Sequence, residues 1–158
     1  MKKTFLLLLI SLFLTTKTFA CSCIFIKEPL SVKVEKAYNQ ADLILSGKVI
    51  EIKIVNKARM KSSADPIIYK FEVVSTIKGK IKKEVLEITS ETSGASCGYK
   101  FELGESYLVY ARKSTHFTKM TKNKFDFVTS LCDRNQKLRK VSKKELRKLK
   151  KLKDRNEK

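Results

Sequence analysis

The sequence holds one histidine, His116. That scarcity rules out a histidine-built metal cluster, and any Ser-His-Asp arrangement would have to pass through this single residue. It stands in a basic, loop-like stretch and reads as a solvated side chain. No glycine-rich phosphate loop is present either, since Gly79 and Gly104 read as turn glycines. Acids are few, 16 Asp and Glu against 35 Lys and Arg, and most stand between lysines. That is the pattern of solvated strand faces rather than of a paired acid and base. Ser22 lies between two cysteines with no base near it in sequence. These absences weigh against an enzyme, and no cofactor of the protein's own is expected.

Long hydrophobic runs are missing too. The longest, Phe5 to Leu14 broken only by Ser11, falls well short of the roughly 20 residues that cross a bilayer core of about 30 Å. Lys2 and Lys3 precede it, and Thr18-Phe19-Ala20 follows, with short side chains three and one positions before Cys21. This three-zone layout predicts a cleavable secretory signal over residues 1–20. A lipoprotein signal prefers an aliphatic residue in the place of Thr18 and a small one in that of Phe19, so lipid anchoring at Cys21 is disfavoured. The expected location is extracytoplasmic, either secreted or periplasmic. Removing twenty residues from 158 leaves 138, enough for one domain with its own core. The leader carries three lysines and no acid, so the net charge falls from +19 to +16. Residues 137–158 hold twelve Lys and Arg against Glu145, Asp154 and Glu157, a net of +9, which leaves +7 for the other 116 residues.

All four cysteines, Cys21, Cys23, Cys97 and Cys132, follow the leader. An even count in an exported chain reads as disulfides, with three pairings open. Cys21 and Cys23 stand too close to bond each other comfortably, so each is expected to reach a distant partner. A four-cysteine zinc site is the competing reading. Such sites usually show two close pairs, whereas Cys97 and Cys132 stand alone.

Leu30, Val34, Ala37 and Tyr38 recur at helical spacing behind Pro29, predicting a helix over Leu30 to Gln40. From Leu43 to Val55 the pattern turns to strand, with Ile50, Ile52 and Ile54 alternating with Glu51 and Lys53. Gly47 sits at the change of phase, where a bulge fits. Asn56 to Pro66 reads as a loop or hairpin tip. Further strands are predicted over Ile67 to Ile77, Val85 to Ile88, Tyr107 to Ala111 and Phe125 to Val128, with a Ser/Thr/Gly-rich loop over Thr89 to Gly98. Leu146, Leu149 and Leu152 suggest a final helix from Val141. The fold class expected is mainly β, a five-stranded OB-like barrel with a short N-terminal and a C-terminal helix, although a sandwich fits the same strand count. The domain would span residues 21–136, followed by a basic helix or tail over 137–158.

Cleavage ahead of Cys21 creates chemistry at the N-terminus. A free α-amine and the carbonyl oxygen of the same residue can close a five-membered chelate on one metal ion. The amine titrates at about 7.7–8 when unperturbed, and a zinc ion favours its unprotonated form. A catalytic zinc keeps one position open for water, which such a chelate can take.

Cys21-Ser22-Cys23 stands directly behind the leader, and Ala37-Tyr38-Asn39-Gln40-Ala41-Asp42 leads into Leu43-Ile44-Leu45-Ser46-Gly47-Lys48-Val49. Then come Tyr69-Lys70-Phe71-Glu72-Val73, Lys78-Gly79, Ser96-Cys97-Gly98, Gly104, Tyr107-Leu108-Val109 and Thr129-Ser130-Leu131-Cys132. As an ordered set, from Cys21 to about Leu138, these segments resemble the tissue inhibitors of metalloproteinases, within the netrin-like OB-fold modules. The resemblance implies a five-stranded barrel with flanking helices and disulfides Cys21–Cys97 and Cys23–Cys132. It also implies a protease-binding edge of Cys21, Ser22, Cys23, Ala95, Ser96 and Cys97. There the Cys21 amine and carbonyl would chelate the zinc of a metalloproteinase partner, and Ser22 would enter the adjacent specificity pocket. Asn39 stands where the animal inhibitors carry a further cysteine, and the lysine-rich tail replaces their cysteine-rich second domain. Both losses fit a reduced, single-domain relative of the kind found in bacteria. A monomer is expected.

The basic tail supports an alternative function. A lysine-rich amphipathic helix can hold an anionic membrane or polysaccharide surface, making the chain a non-inhibitory binding module of the envelope or matrix. Specific nucleic-acid binding is not expected of an exported protein. The plainer reading of the tail is a solvated helix whose leucines cap the barrel.

Overall fold

A computed structural model of the protein describes residues 21–24, 26–81 and 83–156. The expected leader, residues 1–20, lies outside the described residues. Helix α1 spans Leu30–Gln40, with Pro29 at its N-cap, where the missing N–H costs nothing. Val34 and Tyr38, one turn apart, form its buried face. Ala41 ends it by turning extended, its N–H donating to the Ala37 carbonyl.

The strands are β1 (Leu43–Ile54), β2 (Pro66–Lys78), β3 (Val85–Glu91), β4 (Ser106–Ser114), β5 (Asp126–Val128) and β6 (Gln136–Lys137). A four-residue helix α2 (Thr118–Thr121) precedes β5, and α3 (Lys143–Asn156) ends the described chain. The order β1-β2-β3-β5-β4 closes through a second pairing of β1 with β4, giving a ring of five strands. Among the described residues only β3 and β5 pair in parallel; β6 is an antiparallel addition to β4. The fold is therefore mainly β with the OB-like ring, and the sandwich alternative falls. Closure leaves few strand edges open to solvent.

The unbroken apolar start of β1 is explained by burial on both faces. Leu43 and Leu45 point into the barrel, where they join Val49, Phe71, Ile88, Tyr107 and Val109. Ile44 points outward into a second cluster with Leu108 and Tyr110 of β4, Val34 and Tyr38 of α1, and Leu149 and Leu152 of α3. Phe101 plugs the barrel, with ring centroids 4.9 Å from Tyr69, 5.1 Å from Phe71 and 4.9 Å from Tyr107 in edge-on contacts. The pairing of β1 with β2 slips between Ser46 and Gly47. A Cβ at Gly47 would lie 2.7 Å from the Glu72 carbonyl oxygen, so the slip needs glycine.

Two sequence expectations change. Thr89 to Glu91 belong to β3 rather than to the following loop, because they pair with Ile68, Ile67 and Pro66. The buried face of α3 is Glu145, Leu149 and Leu152, whereas Leu146 is 41% exposed. Helix α3 is tied to α1 by Lys148 and Arg155, both on the Glu35 carboxylate, at 2.6 and 3.1 Å. Those two cations hold the Glu35 carboxyl below its ordinary titration range.

Glu145 is the buried polar hub beneath α3. Arg134 donates to both its oxygens at 2.8 Å, Gln136 donates at 3.0 and 3.1 Å, and the Tyr110 hydroxyl donates at 3.1 Å. Deleting one member of a buried charged pair strands the other, at about 3–5 kcal/mol. Because the Arg134 side chain keeps 24% exposure, Glu145→Ala is expected at the lower end, about 3 kcal/mol by denaturant titration. The double replacement Arg134→Met, Glu145→Leu should cost less than that single change, since it leaves no orphaned charge.

Burial first, and then the Glu145 charge beside it, push the Tyr110 hydroxyl well above the ordinary tyrosine value. Tyr110 thus stays protonated in the fold at pH values where the unfolded chain ionises, above about 10. The unfolded state then binds fewer protons than the native state, so stability falls as pH rises past that value. Between about pH 9 and 11 this group is expected to remove about 1.4 kcal/mol in all, a loss absent in Tyr110→Phe and measured by urea unfolding across that window.

Candidate functional site

The four cysteines form two disulfides, Cys21–Cys97 and Cys23–Cys132, each with 5.3 Å between Cα atoms. Of the three pairings available to four cysteines, this is the one the resemblance implies. The sulfurs of Cys21, Cys23 and Cys132 lie within 4.8 Å of one another. All are consumed in crosslinks, and no cysteine among the described residues is free. A four-thiolate zinc site is therefore unavailable, and the zinc alternative is set aside.

Cys97 closes a short 3-10 turn, Gly94–Ser96. Ser93 starts the turn, its hydroxyl accepting from the Ala95 N–H at 3.2 Å. Cys97 then takes the left-handed conformation, φ 65°, with its N–H on the Gly94 carbonyl. Such a conformation costs a non-glycine residue about 1 kcal/mol or more, and the crosslink and the cap bond hold it. Gly98 follows with its N–H on the Ser93 carbonyl at 2.8 Å. A Cβ there would overlap the Glu91 carbonyl, so only glycine lets the loop fold back on the end of β3.

Two neighbouring loops brace this turn. The β1–β2 loop is laced to it by Thr92 N–H to Asp65 O at 2.9 Å and Ser93 N–H to Ser63 O at 3.1 Å. The hydroxyls of Ser63 and Ser96 meet at 2.6 Å. Asp65 is itself positioned by Asn56 and the Ser62 N–H, which donate to its carboxylate at 2.8 and 2.7 Å. On the other side, the Leu131 N–H donates to the Cys97 carbonyl at 2.7 Å. Asp133 organises that loop, accepting from the Ser130 N–H at 2.7 Å and its hydroxyl at 2.9 Å.

The result is one continuous edge. Ser22 and Ala95 are exposed, and Cys21, Cys23, Ser96 and Cys97 are half-buried. Among the described residues no hydrogen bond engages the backbone of Cys21. Ile24, at 90% exposure, extends the edge, and a groove of ≈ 370 Å³ lined by Ile24, Ile26, Lys36, Ala37 and Leu131 continues it. Sequence reading missed Ser63, Asp65, Ile24 and Leu131. The Ser-Ser-Ala-Asp-Pro run signals a turn, but nothing in it says which distant loop the turn meets. His116 lies apart from the edge, exposed between β4 and α2, with its ring against Phe117 at 4.6 Å.

The family described as tissue inhibitor of metalloproteinase has a model that matches residues 19–153. No curated protein matches the chain.

Proposed function

Because the chain belongs to the tissue inhibitor of metalloproteinase family, we propose that it inhibits zinc metalloproteinases through a free N-terminal Cys21. Cleavage between Ala20 and Cys21 turns the Cys21 nitrogen into an amine. That amine and the Cys21 carbonyl oxygen then replace water on the protease zinc. Ser22 enters the pocket beside the metal, and Ala95 and Ser96 form the adjoining contact. The protein contributes backbone donors and a rigid support; the metal belongs to the partner. An exported protein with both cysteine pairs oxidised fits the compartment this reading requires.

The observation that carries the reading is the Cys21–Cys97 crosslink. It fixes residue 21 against a turn that Ser63, Asp65 and Leu131 hold in place. An inhibitor that presents two backbone atoms to a metal needs such support, because ordering a free chain end costs about 1–2 kcal/mol per residue. Protein whose N-terminus is confirmed as Cys21 by intact mass is expected to inhibit members of a metalloproteinase panel at one-to-one stoichiometry. No inhibition across the panel would overturn the reading and favour a non-inhibitory binding module acting through the lysine face of α3.

A further inference from the structure

The far half of β1 is paired on one side only. Strand β4 accompanies β1 from Leu43 to Lys48, and Val49 exchanges bonds with Gly104 and Glu105 at 2.8 and 3.0 Å. Beyond that point, among the described residues, β2 is the only strand paired with β1. Ile50, Ile52 and Ile54 are 44%, 38% and 50% exposed there, and they alternate with Glu51 and Lys53. An edge strand with an apolar row is a template for another strand unless charges block it.

We propose that this edge pairs antiparallel with the same edge of a second copy, making a two-fold dimer centred on Ile52. A symmetric antiparallel pairing centred on one residue sets positions equidistant from it opposite each other. Centred on Ile52, Glu51 faces the Lys53 of the second copy, twice over, while Ile50 faces Ile54 and Ile52 faces itself. Centring on Glu51 or on Lys53 instead would set like charges against each other. Among these three centres the charge pattern selects Ile52 and turns a blocking edge into a self-complementary one. Glu51 accepts Lys70 of its own chain at 2.7 Å through Oε2, which leaves Oε1 for the second copy. Lys53 makes no ion pair among the described residues. This dimer departs from the monomer expected from the sequence, and it does not rest on the inhibitor reading.

Sedimentation equilibrium of the mature protein tests it. The wild type should dimerise reversibly, with association detectable at or below the order of 100 µM, since the interface is small. Glu51→Lys alone and Lys53→Glu alone should each weaken association at least about tenfold, because both symmetric contacts become repulsive. An equimolar mixture of the two variants should recover wild-type association. In the mixed pair, the two lysines of one chain meet the two glutamates of the other, so both contacts are again attractive. Recovery on mixing also shows that the single variants are folded. A wild type that stays monomeric, single variants that associate like wild type, or a mixture that fails to recover would each overturn the proposal.

Discussion

One alanine placed ahead of Cys21 is expected to weaken metalloproteinase inhibition at least about 1,000-fold, or about 4 kcal/mol of binding. The extension changes the metal-facing nitrogen from an amine to an amide. An amide lone pair is delocalised into its own carbonyl, so one of the two chelating atoms disappears and the ring cannot close. The added residue also has to occupy the space that the zinc ion fills. Stability should be untouched, because Cys21 remains crosslinked to Cys97 and its backbone nitrogen makes no hydrogen bond among the described residues. The unextended protein carries a further signature. Its amine must lose a proton to bind, so inhibition should weaken as pH falls below about 7.7–8, by up to tenfold per unit. The sign follows from competition between proton and metal for one lone pair. Inhibition constants for both forms between about pH 6 and 8.5 check this, and equal potency with and without the alanine would refute chelation by the amine.

The parts of this site that could be read from the sequence are those with a local signature. Pro29 with Leu30, Val34 and Tyr38 marks α1 because a helix repeats every 3.6 residues. Glycine at 47 marks the slip in β1 because only a residue without a side chain fits beneath Glu72. What stayed hidden depends on partners far away in the chain. Ser93, Ser96, Ser63 and Asp65 are ordinary loop residues until two loops meet, and neither loop announces the other. Thr89 and Ser90 open a Ser/Thr/Gly-rich run that reads as a loop, yet both are buried in the ladder with β2, Thr89 with its own strand preference and Ser90 through pairing with Ile67. The leucine stripe of α3 misled by one position. Its true face begins at Glu145, an acid that a hydrophobic pattern passes over, and Arg134, Gln136 and Tyr110 make that burial tolerable.

Replacing Cys21 and Cys97 together by serine is expected to lower stability by about 4–5 kcal/mol and inhibition by about 30-fold or more. The crosslink joins residues 76 apart, and the Cys23–Cys132 crosslink joins residues 109 apart. In the chain-entropy model the two therefore restrict the unfolded chain almost equally. They differ in what they hold. Serine at position 21 still offers an amine and a carbonyl, so the double replacement removes no metal donor. What it removes is the tie between those donors and the turn at Gly94–Ser96, leaving Cys23–Cys132 to anchor a loose two-residue end. Reordering that end on the protease costs about 2 kcal/mol or more, which is the expected loss in potency. The Cys23→Ser, Cys132→Ser pair should lose similar stability yet keep more inhibition, because residue 21 stays pinned to residue 97. Thermal unfolding of both variants beside their inhibition constants, at a temperature where each is folded, separates the two roles. Equal losses of inhibition would mean that the turn at Cys97 does not position the N-terminus, and that the edge is held by the domain as a whole.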